Sequence, residues 1–157
     1  MKIVQRVASL ADASILLKWR NNSRVREFSP NSGLITSSEH AAWFSARLDR
    51  QESEPFSFFD IADKTVGMTR LDLIPELDKT FVLSILVDPE LQGVGIGRRI
   101  LALTCKNFFE IFPYHTILAI VKEENEISQR LFQNANFSNV NRIDGHFHYI
   151  KTTGSPV

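Results

Sequence analysis

The 157-residue chain balances 18 Lys and Arg against 18 Asp and Glu, so no overall field draws it to nucleic acid or an anionic membrane. A 43% apolar content implies a packed core, and the single cysteine, Cys105, excludes an internal disulfide and any multi-cysteine metal site. Twelve Phe against two Tyr and two Trp promise an aromatic interior with few phenols for chemistry. No apolar run reaches the roughly 20 residues of a membrane-spanning helix. No cleavable signal opens the chain, and a cytoplasmic protein with residues 1–157 in one domain is expected.

Lys2 to Val7 can form a short strand, and Asp12 offers an N-cap to a helix through Leu16, Leu17 and Trp19. After a polar segment from Asn21 to Gly33, Thr36, Ser37 or Ser38 can cap a second helix carrying Ala41, Phe44 and Leu48. Phe56 to Ala62 and Thr65 to Leu73 then flank an Asp63-Lys64 turn, and Asp78-Lys79 leads into Thr80 to Val87. A third helix begins near Gly95 and stops before Pro113, which cannot continue it. Along it Leu101, Cys105, Phe108 and Phe112 form one stripe for burial. A β-rich run from Thr116 to Val121, a helix after Asn125 and a hairpin turning at Asp144-Gly145 follow. The tail from Thr152 to Val157 should fray. The order predicts a mixed α/β layer around one sheet.

The segment that carries chemistry runs Val87-Asp88-Pro89-Glu90-Leu91-Gln92-Gly93-Val94-Gly95-Ile96-Gly97-Arg98-Arg99. A strand ends, Pro89 bars its continuation, and glycines lead into an amphipathic helix. Glycine lets a ligand approach the backbone, and the first helical turn offers free N–H donors at the positive end of the dipole. Together they make a cradle for a diphosphate, with Arg98 and Arg99 at its rim. The Rossmann spacing is absent, and no Gly-Lys-Ser/Thr of a Walker loop follows.

The spacing Gln-x-x-Gly-x-Gly after Val-Asp-Pro-Glu resembles the acetyl-CoA motif of the GNAT acetyltransferases. Asn125 to Phe137 resembles the family's last helix. The resemblance implies the GNAT fold, a mostly antiparallel sheet splayed between its fourth and fifth strands with helices on both faces. It also implies acetyl-CoA as donor, no metal, and a coenzyme site of Leu86, Val87, Gln92, Gly93, Val94, Gly95, Ile96, Gly97, Arg98, Asn125, Arg130 and Phe132. Pantetheine would extend the sheet in the splay, and a backbone N–H near Leu86 or Val87 would polarise the thioester carbonyl. The family's glycine before the final Phe is Asn136 here, a mild change at a left-handed helix terminus. Its usual tyrosine is Phe132, which has no proton to give a departing thiolate.

Proton carriers are therefore few. The phenols are Tyr149 and Tyr114, the imidazoles His40, His115, His146 and His148, and the carboxylates Glu39 and Asp72. Tyr149 and His40 are the catalytic candidates, with Leu86 supplying the oxyanion donor. His146 and His148 share a strand face but lack a third metal ligand.

The stretch Leu17 to Asn22, with Val25-Arg26 and Glu39 to Phe44, resembles a subgroup of ribosomal-protein and nucleotide-amino-sugar acetyltransferases. Val66 to Asp72 resembles the Gly, two residues, Arg, one residue, Asp strand of the amino-sugar members. The acceptor site is then expected at Trp19, Arg20, Arg26, His40, Trp43, Arg70 and Asp72. The arginines would pair with a nucleotide diphosphate, and Trp19 or Trp43 would stack on a base. The expected acceptor is the amino group of a UDP-linked amino sugar, with a homodimer left open. A protein N-terminus, a ribosomal protein or a small-molecule amine is the alternative acceptor. A silent acetyl-CoA sensor is the reading without catalysis.

Overall fold

The computed structural model of the protein describes residues 1–29 and 32–154. β1 (Ile3–Val7) is followed by α1 (Ala13–Arg20), α2 (Ser23–Glu27) and α3 (Ser37–Leu48). A meander of β2 (Phe56–Ile61), β3 (Lys64–Leu73) and β4 (Thr80–Val87) leads into α4 (Ile96–Ile111). β5 (Thr116–Lys122), α5 (Glu126–Asn134), β6 (Ser138–Ile143) and β7 (His146–Lys151) complete the order.

Three local expectations change. The polar stretch from Asn21 to Gly33 holds the short α2, started by Asn22, whose side chain accepts from the Arg24 N–H at 3.0 Å. Residues 30 and 31 of that stretch, and residues 155–157 of the tail expected to fray, lie outside the described residues. Asp12 does not cap α1 with its side chain; both its oxygens accept from the Arg6 guanidinium at 2.8 Å. The β2–β3 turn is Ala62-Asp63, one residue early, with Ala62 at φ 53°.

Elsewhere the local chemistry holds. Thr36 and Glu39 form a reciprocal capping box on α3. Asp144 and Gly145 both take positive φ, the requirement of a two-residue I′ hairpin. Asn136, at φ 63°, ends α5, and the Phe137 N–H reaches back to the Phe132 carbonyl at 3.0 Å. That bond, with the Phe132–Phe137 ring contact at 5.1 Å, is a Schellman terminus.

The strands form a seven-stranded sheet in the order β1-β2-β3-β4-β5-β7-β6. Among the described residues its only parallel pair is β4 with β5; the others are antiparallel. Phe56, Ser57, Phe58 and Phe59 are buried in succession because helices cover both faces there. On one face Phe56, Phe58 and Met68 pack with Leu16 and Trp19 of α1 and Phe44 of α3. On the other, α4 sends Leu101, Cys105 and Phe108 into a core with Phe81, Leu83, Ile117 and Ala119, as its stripe predicted. α5 joins that same core through Phe132. Among the described residues no helix is long and apolar enough to cross a membrane.

Candidate active site

The sheet opens at its centre. β4 and β5 pair only through Thr80↔Thr116, Phe81↔Ile117 and Val82↔Leu118, although β4 continues to Val87 and β5 to Lys122. On its other side β4 stays paired with β3 as far as Gly67↔Val87. The result is a wedge between two arms, the splay the family resemblance implied. The Asp88 N–H donates to the Val66 carbonyl at 2.9 Å, and the Lys79 carbonyl accepts from Thr116 at 2.7 Å. Strand alternation then turns the N–H groups of Ser84 and Leu86 toward β3, and those of Ile85 and Val87 into the wedge. The oxyanion donor expected at Leu86 is thereby corrected: its N–H belongs to the β3 ladder, and Val87 offers the free direction.

At the mouth of the wedge the chain makes one 3₁₀ turn, Pro89–Leu91, and then an exposed loop from Gln92 to Gly95. Gly93 and Gly95 stand at φ 83° and 86°, a region costly for any residue with a Cβ, and a Cβ at either would meet nothing within 4 Å. Gly95 caps α4, and the N–H groups of Ile96, Gly97 and Arg98 open that helix. Gly97 lies below, where a Cβ would make ordinary contact with Val87 Cγ2 at 3.4 Å. A helix start with an open glycine approach, beside the unpaired end of β4, fits a diphosphate with an extended amide-bearing arm. Arg98 is exposed at the rim, and Arg99 donates instead to the Met1 carbonyl.

On the α1–α3 side, α2 spans the two arms. Arg24 Nη2 donates to the Pro89 carbonyl beyond β4 at 3.3 Å. Lys122 Nζ, at the end of β5, donates to the Glu27 and Ser29 carbonyls at 3.3 and 3.1 Å. Sequence reasoning missed both residues, because Lys122 meets Ser29 across 93 positions and no local pattern announces such a contact.

The expected proton carriers are not gathered at the wedge. Tyr149 is 1% exposed, beneath α5, and its hydroxyl accepts from Gln133 Nε2 at 3.3 Å. A phenol so enclosed does not suit the catalytic role expected of it. Phe132 stacks on it at 6.2 Å and is itself core, and Tyr114 is exposed on the α4–β5 connection. His40 is 2% exposed, with Nε2 2.7 Å from the Ala13 carbonyl and Nδ1 buried without a partner. Burial, and then the nearby Arg20, hold its pKa below the usual histidine value. His115 packs on Phe81 and Phe112, and His146 Nδ1 lies 2.9 Å from the Asp144 carbonyl. Glu39 is spent on its capping box. Among the described residues no group of three or more His, Cys, Asp or Glu could hold a metal ion. Asn125 caps α5, accepting from the Ser128 N–H at 3.2 Å, while Arg130 is an exposed partner of Glu126 at 3.6 Å.

Part of the expected acceptor site does converge. Arg20 and Arg70 lie over the Trp43 ring at 4.9 and 5.0 Å, so this indole is occupied by guanidinium and not open to a base as expected. Asp72 accepts from Arg70 Nε and Arg47 Nε, each at 2.8 Å. Trp19, 3% exposed against Phe58, is core and not an acceptor contact. Arg26 staples its own loop, donating to the Asn21 and Ser32 carbonyls.

Residues 3–138 match the model of one family, described as an acetyltransferase (GNAT) domain. The chain belongs to the GNAT acetyltransferases. Solved structures agree on the GNAT fold. A domain from Methanocaldococcus jannaschii DSM 2661 superposes with a TM-score of 0.81 at 22% identity, covering 96% of this chain and 97% of that one. The aminoglycoside acetyltransferase AAC(6')-Ib, solved with coenzyme A, gives 0.83 at 16%, covering 96% and 95%. The spermidine N-acetyltransferase of Vibrio cholerae, solved with coenzyme A and spermine, gives 0.82 at 17%, covering 98% and 96%. No curated protein matches the GNAT chain by sequence.

Proposed function

We propose that the protein moves the acetyl group of acetyl-CoA to the amino group of a nucleotide-linked amino sugar, such as a UDP-linked one. The observation that carries the transfer reading is the wedge beyond Val82↔Leu118 lying next to the start of α4. In this reading the N–H groups of Ile96, Gly97 and Arg98 hold the diphosphate, and the inward N–H groups of Ile85 and Val87 hold the amide arm. The Val87 N–H faces the developing oxyanion, a contribution of about 2.7–4 kcal/mol for one such donor. Holding amine and thioester in contact contributes about 7–11 kcal/mol more. The neutral amine attacks the thioester carbon, the C–N bond forms and the C–S bond breaks. The nitrogen loses its proton, and the departing thiolate takes one up.

The acceptor reading is supported by the segments that resemble the subgroup of ribosomal-protein and amino-sugar enzymes, Val66 to Asp72 resembling the amino-sugar members most. Residues from three of these segments, Arg20, Trp43 and Arg70, meet on the α1–α3 face, the face to which Ser84 and Leu86 of the β4 arm point. Mass spectrometry of products from acetyl-CoA with a UDP-4-amino sugar, a peptide and a polyamine tests it. Acetylated amino sugar as the dominant product is expected; dominant peptide or polyamine acetylation refutes the acceptor assignment. Calorimetry with acetyl-CoA tests the cradle separately, and absence of saturable binding refutes the transfer reading.

One observation favours a coenzyme sensor without turnover: Phe132 replaces the usual phenol, and Tyr149 is sealed behind it. Saturable coenzyme binding with no product from the whole amine panel selects that reading.

A further inference from the structure

Three arginines meet one aspartate on the α1–α3 face. Asp72 gives one oxygen to Arg47 Nε and the other to Arg70 Nε, with Arg50 Nη2 at 3.9 Å. Arg47 is 1% exposed and also donates to the Pro55 and Leu71 carbonyls, so its share of that carboxylate is structural. Glu54, the next carboxylate, is taken by Arg50 Nε at 2.9 Å and by the Leu73 N–H. Arg20 has no carboxylate within ion-pair distance among the described residues. Its guanidinium lies over the Trp43 ring, as does that of Arg70. Burial, and then repulsion from Arg70, push the Arg20 pKa down. His40, held neutral beside it, adds no negative charge.

Arg70 pairs with Ser84, two residues past the last β4–β5 pair, and directly opposed antiparallel residues hold their Cβ atoms about 5 Å apart. The uncompensated charge therefore sits beside the arm of the wedge. We infer that Arg20 and Arg70, set on Trp43, form an anion subsite for the acceptor. The acetylated amine then belongs to a molecule that also carries a phosphate or carboxylate group. This rests on the amine-acetylation reading, but not on the acceptor being a nucleotide sugar. Guanidinium forks match either oxyanion bidentately, and a polycationic amine would meet like charge at Arg20.

The test uses the full chain saturated with coenzyme A, so that the helix-start cradle is already filled. Inorganic pyrophosphate is titrated while the indole N–H signal of Trp43, assigned with Trp43→Phe, is followed by NMR. A saturable shift is expected, weakened about tenfold to a hundredfold in Arg20→Gln and less in Arg20→Lys. In turnover, kcat/KM is compared for amines matched as phosphate against free hydroxyl and as carboxylate against amide, which separates the two anions. The charged member of at least one pair is expected to win about tenfold or more in the wild type, with the ratio collapsing in Arg20→Gln and coenzyme Kd unchanged. An unmoved Trp43 signal, an unchanged ratio in Arg20→Gln, or a polyamine as best acceptor overturns the subsite. A shifted Trp43 signal without any turnover upholds the subsite and refutes the transfer reading.

Discussion

His40 Nε2 lies 2.7 Å from the carbonyl oxygen of Ala13, fastening α3 to the start of α1. A carbonyl only accepts, so Nε2 carries the proton and the buried Nδ1 is a bare lone pair. Protonating Nδ1 puts a charge between the rings of Trp43 and Phe44, beside Arg20.

The pH dependence follows from that neutral ring. Its folded pKa is below the ordinary 6.5, so the unfolded chain takes up the proton first as pH falls. The contribution is present above about pH 6.5 and is lost as pH falls toward and through the folded pKa. Urea midpoints should decline through that window in the wild type and less steeply in His40→Gln. Equal slopes refute the assignment.

Gly67 is fixed by space. A Cβ there would stand 2.5 Å from Ile100 Cδ1 and 2.8 Å from the Leu86 carbonyl oxygen, and the oxygen is backbone that cannot swing aside. Gly67→Ala is expected to cost about 1–3 kcal/mol, as overpacking does. The urea midpoint should fall with an unchanged slope. An unmoved midpoint shows that β3 and α4 can part there.

Asp72 holds Arg47 and Arg70 at once. Asp72→Asn leaves the buried Arg47 guanidinium with carbonyl partners only, at a cost of about 3 kcal/mol for a broken buried pair. Chemical denaturation should show this loss. A variant as stable as the wild type excludes Asp72 as the anchor of this face.

Burial pushes the Cys105 thiol up to about 12. Iodoacetamide should leave the native protein unlabelled at mildly alkaline pH and label it once denatured, because the thiolate is the reacting form. Rapid native labelling contradicts the close packing of Cys105 between α4 and the sheet.

The sequence spoke clearly where the determinant is local. The stripe of Leu101, Cys105 and Phe108, the Asp144-Gly145 turn, the glycine entry to α4 and the terminus at Asn136 each follow from a few neighbouring residues. It was ambiguous where distant pairing decides. Whether the N–H of Leu86 or Val87 faces the wedge depends on the β3 register, which no window around β4 contains. Tyr149 drew notice as one of two phenols, yet its register places it opposite Ala119, under Phe132. Trp19 and Trp43 read alike in sequence. One helical face sends the first into the core, while two arginines claim the second.

The tie made by α2 bears on the proposed transfer. With Arg24 fastened to the β4 side and Lys122 to the underside of the same short helix, the two halves of the sheet are braced together on that surface. In the proposed transfer a donor would enter from the opposite surface, the side of α4 and α5. The acceptor would come from the braced surface, so that the two would meet from opposite sides of one molecular wall.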